Sequence, residues 1–237
     1  MPCVGGPVTN LSPPVGPPVD STPRPLPARV RIRGRDAELE PLHVRHAPEL
    51  WRAAAGADAS WTYMGYGPFA DEADLTRHVA LCASQHDPVY WAVRPVATGT
   101  VSGWLSLMNI APQDGGIELG NIWFAPVMQR TRAATEAMYL LLRLAADELG
   151  YRRLAWRCHA LNAPSRRAAE RLGFTYEGTL RCDRVIKGRA RDTAVYSILA
   201  AEWPGCAHAL TQWLSPENAA PDGTALRGLA SLRGNAP

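Results

Sequence analysis

No stretch of the chain is apolar for long enough to cross a bilayer. Runs such as 138–142 (MYLLL) and 144–150 (LAADELG) end in or contain charges, far short of the roughly 18 residues that a helical span needs. The first twenty residues, MPCVGGPVTNLSPPVGPPVD, lack a basic segment followed by a continuous apolar one, so no secretory signal is expected, and the protein is expected to be cytoplasmic. Cysteine is scarce: five residues, at 3, 82, 158, 182 and 206, with no CxxC pair. An odd, scattered set argues against both a disulfide framework and a zinc site. The one tight histidine pair, His43 and His46, has no carboxylate or thiol partner at ligand spacing, so no metal is expected. A G-x-S-x-G elbow and a Walker loop are also missing, which removes the usual signals of serine hydrolysis and P-loop phosphoryl transfer.

What is present suits one compact domain: 237 residues, 46% hydrophobic and 20% charged. The net charge is +3, but between Arg130 and Asp192 fourteen Arg or Lys residues face seven Asp or Glu. The basic residues are spread over a presumed helix, strand and hairpin, not along one element with interleaved aromatics, which disfavours nucleic acid. A phosphorylated cofactor accounts for the excess as economically.

Residues 1–28 are rich in Pro, Gly and Val with almost no charge, a composition expected to stay disordered. Residues 215–237 are expected to form a second loose tail, with at most a marginal helical turn in ALRGLASL. Between the tails (29–214), LEPLHVRH predicts a first strand, followed by a helix over 48–55 and an aromatic loop, ASWTYMGYGPFAD. A helix over 71–85, with acidic residues in its first turn, leads to three strands, 89–95, 100–110 and 117–126. A helix over 131–149 carries Met138, Leu141, Leu142, Ala145 and Leu149 on one face and stops at Gly150. The strand 151–160 alternates Leu154, Trp156 and Cys158 against Arg153, Arg157 and His159. Asn162 as cap, Pro164 in the first turn and Gly173 as stop define a short helix, and 174–186 with 190–199 form a hairpin around KGR. The expected fold is α/β (α+β): a mixed, mostly antiparallel sheet of six or seven strands with helices on both faces.

The segment IELGNIWFAPVMQRTRAATEA runs strand, loop, helix, and the unpaired amides of such a helix start suit a pyrophosphate. The order of elements and this segment resemble the GNAT superfamily of acyl-CoA-dependent N-acyltransferases, whose loop follows Q/R-x-x-G-x-G/A. Here the loop reads Gln129, Arg130, Thr131, Arg132, Ala133, Ala134, then Thr135 and the rest of TEA. Arg132 stands at the central glycine position, where its side chain either obstructs phosphate or points outward and adds positive charge. NAPSRRAAERLGFTYEG matches N-x-x-S-x-x-x-A-x-x-x-G-F-x-x-E-G of the RimJ/RimL-like branch, and WTYMGYGPF and RDTAVYSI resemble that branch's acceptor-side loop and final strand. The resemblance spans about residues 36–204.

It implies acetyl-CoA as co-substrate, held by 129–135 and Asn162, with an oxyanion donor among the backbone amides near Trp123 or Phe124. Glu118, eleven residues before Gln129, matches the general-base glutamate of the histone-acetylating branch; a structural ion pair with an arginine is the other reading. Where many members carry a proton-donating tyrosine, this chain has Ala169, and Ser165 is the expected substitute. Trp61, Tyr63, Tyr66 and Arg181 are expected at the acceptor mouth, the aromatics alternatively packing a lid. The acceptor implied is a primary amine, on a small molecule or a protein N-terminus; no membrane partner is expected, and oligomeric state, a homodimer included, is left open. A non-catalytic acyl-CoA-binding or sensor module remains the alternative, motivated by Arg132 and Ala169.

Overall fold

The computed structural model describes residues 15–221 and 224–233. Eight strands form one sheet: β1 (Ile32–Arg33), β2 (Ala37–Pro41), β3 (Val89–Pro95), β4 (Gly103–Ala111), β5 (Gly116–Phe124), β6 (Arg153–His159), β7 (Thr175–Ile186) and β8 (Arg189–Leu199), in the order β1-β2-β3-β4-β5-β6-β8-β7. Every pairing is antiparallel except β5 with β6. That parallel step follows from the helical crossover α3 (Arg132–Arg143), which continues through a π-turn at Leu144–Glu148.

Period-two alternation in the central strands feeds two cores. Leu39, Trp91, Val93, Leu105, Leu107, Ile117 and Leu119 face α3, together with α4 (Ala163–Leu172) and α5 (Trp203–Leu214). Tyr90, Ala92, Trp104 and Trp123 face the other way, toward α1 (Ala47–Ala54) and α2 (Glu72–Ser84). Each fully buried large side chain stabilises the fold by about 1.5–3 kcal/mol. The expectation of a mixed sheet with helices on both faces holds, with eight strands in place of six or seven. The extra strand arises at the start: the predicted strand over 39–46 is instead β2 followed by a 3-10 turn at Val44–His46, and β1 pairs outside β2.

The chain ends depart further from expectation. The loose tail predicted from 215 is packed: Asn218 hydrogen-bonds to the Trp213 and Arg227 backbones, and α6 (Leu229–Arg233) buries Leu229 and Leu232 in the main core. Before it lies α5, an element beyond those the sequence pattern predicts. It buries Trp203, Cys206, Leu210, Trp213 and Leu214 on one helical face, and Pro204 sits in its first turn, where a missing N–H costs nothing. Residues 15–31 form no regular structure, but the part from 24 to 30 is tied to the body of the fold. Arg24 N donates to Pro112 O at 3.1 Å, Tyr151 Oη to Pro25 O at 3.1 Å and Trp91 Nε1 to Val30 O at 2.9 Å. The part of the expected N-terminal tail before residue 15, Cys3 included, lies outside the described residues.

Candidate active site

The parallel pairing of β5 with β6 lasts three residues, Gly116–Glu118 against Arg153–Ala155. Beyond it the strands diverge, because the β5 ladder with β4 carries an extra residue near Asn121, whose φ of 49° marks a bulge. The wedge opens into a cleft of about 1180 Å³ bounded by β5, β6, α3, α4 and the loop after α1. The Ala125 N–Ser102 O bond of 2.9 Å sets the phase of the β4–β5 ladder, so Phe124, one residue earlier, turns its N–H and C=O toward the open side. Gln129 Nε2 donates to that carbonyl at 2.9 Å. Trp123 also borders the cleft, but its backbone is in register with Trp104 and its indole belongs to the core.

At one end of the cleft stands the start of α3. Thr131 caps it, its hydroxyl accepting from Ala134 N at 3.1 Å. The first-turn amides of Arg132 and Ala133 are left without intrahelical partners, as at any helix start, and they carry the positive end of its dipole. Gln129, Arg130, Ala134 and Thr135 line this end. Arg132 does not obstruct it: the guanidinium reaches across α3 to the carbonyls of Trp213, Leu214 and Ser215 at 3.1, 2.5 and 3.2 Å and lies over the Trp213 ring. It closes the C-terminus of α5, where cations are favoured. Arg171 of α4, unmarked by any motif in the sequence, also lines the cleft and donates to Thr135 Oγ1 at 2.7 Å.

Asn162 caps α4 as expected, accepting from Ser165 N at 3.1 Å. The Ser165 hydroxyl does not bond back to that cap; it accepts from Trp156 Nε1 at 3.1 Å and lies within hydrogen-bonding reach of the Cys158 thiol. At the other end, Glu118 is 4% exposed; Asn109 donates to its Oε2 at 2.8 Å, and Arg157 Nε lies 3.6 Å from the same atom. Burial pushes its carboxyl above the ordinary 4.5, against the pull of Asn109 and of Arg157, Arg184 and Arg191. Both readings of Glu118 are thus physically present: a loose arginine contact and a raised pKa.

Of the residues expected at the acceptor mouth, Tyr63 lines the cleft and packs on His159, ring centroids 5.0 Å apart. Trp61 does not: it is 1% exposed and stacked on Trp123 at 4.3 Å. Tyr66 lies in the same cluster, its hydroxyl accepting from Trp104 Nε1 at 3.2 Å. These two aromatics take the packing role, because the loop must cover the tryptophans of β4 and β5. Arg181 is exposed and does not border the cleft. Between Leu180 and Arg184 the β7 strand carries two extra residues relative to β8, with Cys182 at φ 50°, and Arg184, opposite Arg191 of β8, borders the cleft with it. No group of His, Cys, Asp and Glu able to hold a metal occurs among the described residues.

The profile of the acetyltransferase (GNAT) domain family matches residues 36–175. A crystal structure of a GCN5-related N-acetyltransferase from Brucella melitensis superimposes with a TM-score of 0.89 at 42% identity, over 91% of this chain and 99% of that one. A GNAT-family structure from Chromobacterium violaceum gives 0.75 at 41%, over 81% and 100%. A Bacillus subtilis protein named "Putative ribosomal N-acetyltransferase YdaF" is 33% identical over 107 residues, 45% of this chain and 58% of that relative's length. The chain belongs to the GNAT acetyltransferase family.

Proposed function

We propose that this protein transfers an acetyl group from acetyl-CoA to a primary amine by direct attack, with no covalent enzyme intermediate. The observation that carries the reading is the wedge between β5 and β6, with free amides and cationic side chains at its α3 end and the buried Glu118 at its other. The residues present fit the co-substrate. Helix-start amides with Arg130 and Arg171 nearby suit a pyrophosphate, and the exposed edge of β5 suits an extended pantetheine arm. Asn162, at the head of α4, borders the path of that arm.

Bound acetyl-CoA supplies an activated thioester carbonyl. The Phe124 amide is the oxyanion donor that the ladder phase favours. Glu118, its pKa raised toward neutrality, takes the ammonium proton directly or through water. Ser165, already accepting from Trp156, donates to the departing thiolate. Tyr63 and His159 flank the amine's entry. The similarity to a protein named for ribosomal acetylation favours a protein N-terminus as one acceptor class, beside small-molecule amines. The sensor alternative loses its main motive, since Arg132 is turned away from the cleft.

Thiol release from acetyl-CoA across an amine panel tests the reading. Glu118→Gln should lower kcat by about 10²–10⁴-fold and Ser165→Ala by a smaller factor. Unchanged rates in both would remove these roles. A cofactor-dependent rise in melting temperature with no thiol release from any amine would restore the sensor reading.

A further inference from the structure

The acceptor end of the cleft has an electrostatic peculiarity that amine acetylation alone does not require. Glu118 is the only acidic residue among those lining it, whereas Arg157, Arg184 and Arg191 converge on the same face. They do so because Glu118, Arg157 and the cross-strand partners on β7 and β8 share one face of the sheet. Arg184 and Arg191 are directly opposed across the β7–β8 ladder, an arrangement of like charges that destabilises a hairpin unless something negative lies between them. Arg184 has a loose contact with Asp183, at 3.7 Å. The Arg191 guanidinium makes no hydrogen bond to any described residue, and its Nε is buried without a partner. Two residues on, Thr193 is 1% exposed, and its Oγ1, also bordering the cleft, is buried with no partner. Such orphaned groups are rare in native structures, and each calls for a partner that the protein's own side chains do not supply.

A polyamine or a plain alkylammonium entering here would meet three guanidiniums and one carboxylate. An acceptor carrying its own negative charge meets complementary groups throughout: its ammonium at Glu118, its anion at Arg191 and Thr193. We propose that the acceptor is an amine bearing a carboxylate a few bonds from the nitrogen, and that Arg191 and Thr193, with Arg184, form the seat for that carboxylate. The inference rests on the transferase reading and deepens it by naming the substrate class. The same chemistry can come from a free amino-acid-like molecule or from an acidic side chain beside a protein's N-terminal amine, and the paired probes below separate the two.

The test is thiol release by the full chain with matched pairs: small amino acids against their decarboxylated amines, and pentapeptides with aspartate at the second position against their asparagine counterparts. Within at least one pair the carboxylate member should have kcat/KM higher by about 10- to 100-fold, the range spanned by one charge-assisted hydrogen bond. Whichever pair shows the preference identifies the source. Arg191→Gln should abolish that preference, the loss falling on KM for the carboxylate member. Thr193→Val, isosteric and suited to a buried site, should halve or better the preference even if Arg191→Gln folds poorly. Equal kcat/KM within both sets of pairs overturns the inference and leaves the transferase intact. Absence of thiol release from every amine overturns both.

Discussion

Arg132→Ala distinguishes a phosphate-binding role of that side chain from the structural one seen here. The guanidinium is 13% exposed, donates to three carbonyls at the end of α5, sits 3.6 Å from Asp36 and covers Trp213. Hydrogen bonds from a charged donor contribute about 1.5–3 kcal/mol each in isolation, and a cation at a helix C-terminus about 0.3–2 kcal/mol. Because the three carbonyls share one guanidinium and regain some water when it leaves, the net loss should be about 2–4 kcal/mol. For a chain of this size that is a fall in Tm of roughly 4–15 °C. Thermal and urea denaturation would measure it, and acetyl-CoA titration of the folded variant would give KM. The expected result is a clear stability loss with KM changed by less than about threefold, since the cleft keeps its helix-start amides, Arg130 and Arg171. A KM raised tenfold or more with Tm unchanged would refute the reasoning and return Arg132 to the phosphates.

Three further outcomes follow from the same geometry. If Glu118 is the base, kcat/KM should rise with pH along a limb displaced above 4.5, because burial raises its pKa; Glu118→Gln should abolish that limb, and an unshifted one would point to another group. Glu136 on α3 accepts from the amides of Arg35, Asp36 and Ala37 at 3.0, 2.5 and 2.7 Å, holding the β1–β2 turn. Glu136→Gln replaces one acceptor by a donor and should lose about 3–5 kcal/mol in urea melts, a loss below about 1 kcal/mol counting against the clamp. Glu40 is buried, which pushes its carboxyl up, but hydrogen bonds from Arg94 and Arg45 bring it to about 2, so its contribution is present above 4.5 and lost as pH falls toward 2. Stability measured across that window should fall less steeply in Glu40→Gln than in the parent.

The sequence by itself determined the elements whose signals are local. Asn162 as cap and Gly173, at φ 107°, as stop of α4, and the alternation of Leu154, Trp156 and Cys158 in β6, are properties of a few neighbouring residues, and each came out where its side-chain chemistry put it. The family followed from motifs of the same short range, and with it Glu118, Gln129, Asn162 and Ser165 in one cleft. Tertiary structure decided what depends on partners far along the chain. Helix α5 carries no such local signal beyond its apolar face, which α3 and α6 cover. Trp61 and Tyr66 look like recognition aromatics until the tryptophans of β4 and β5 claim them. Arg132 looks like an obstruction until the end of α5 takes it. Arg184 and Arg191, not Arg181, border the cleft, beside a β7 strand with two extra residues between Leu180 and Arg184 that show only against the paired strand.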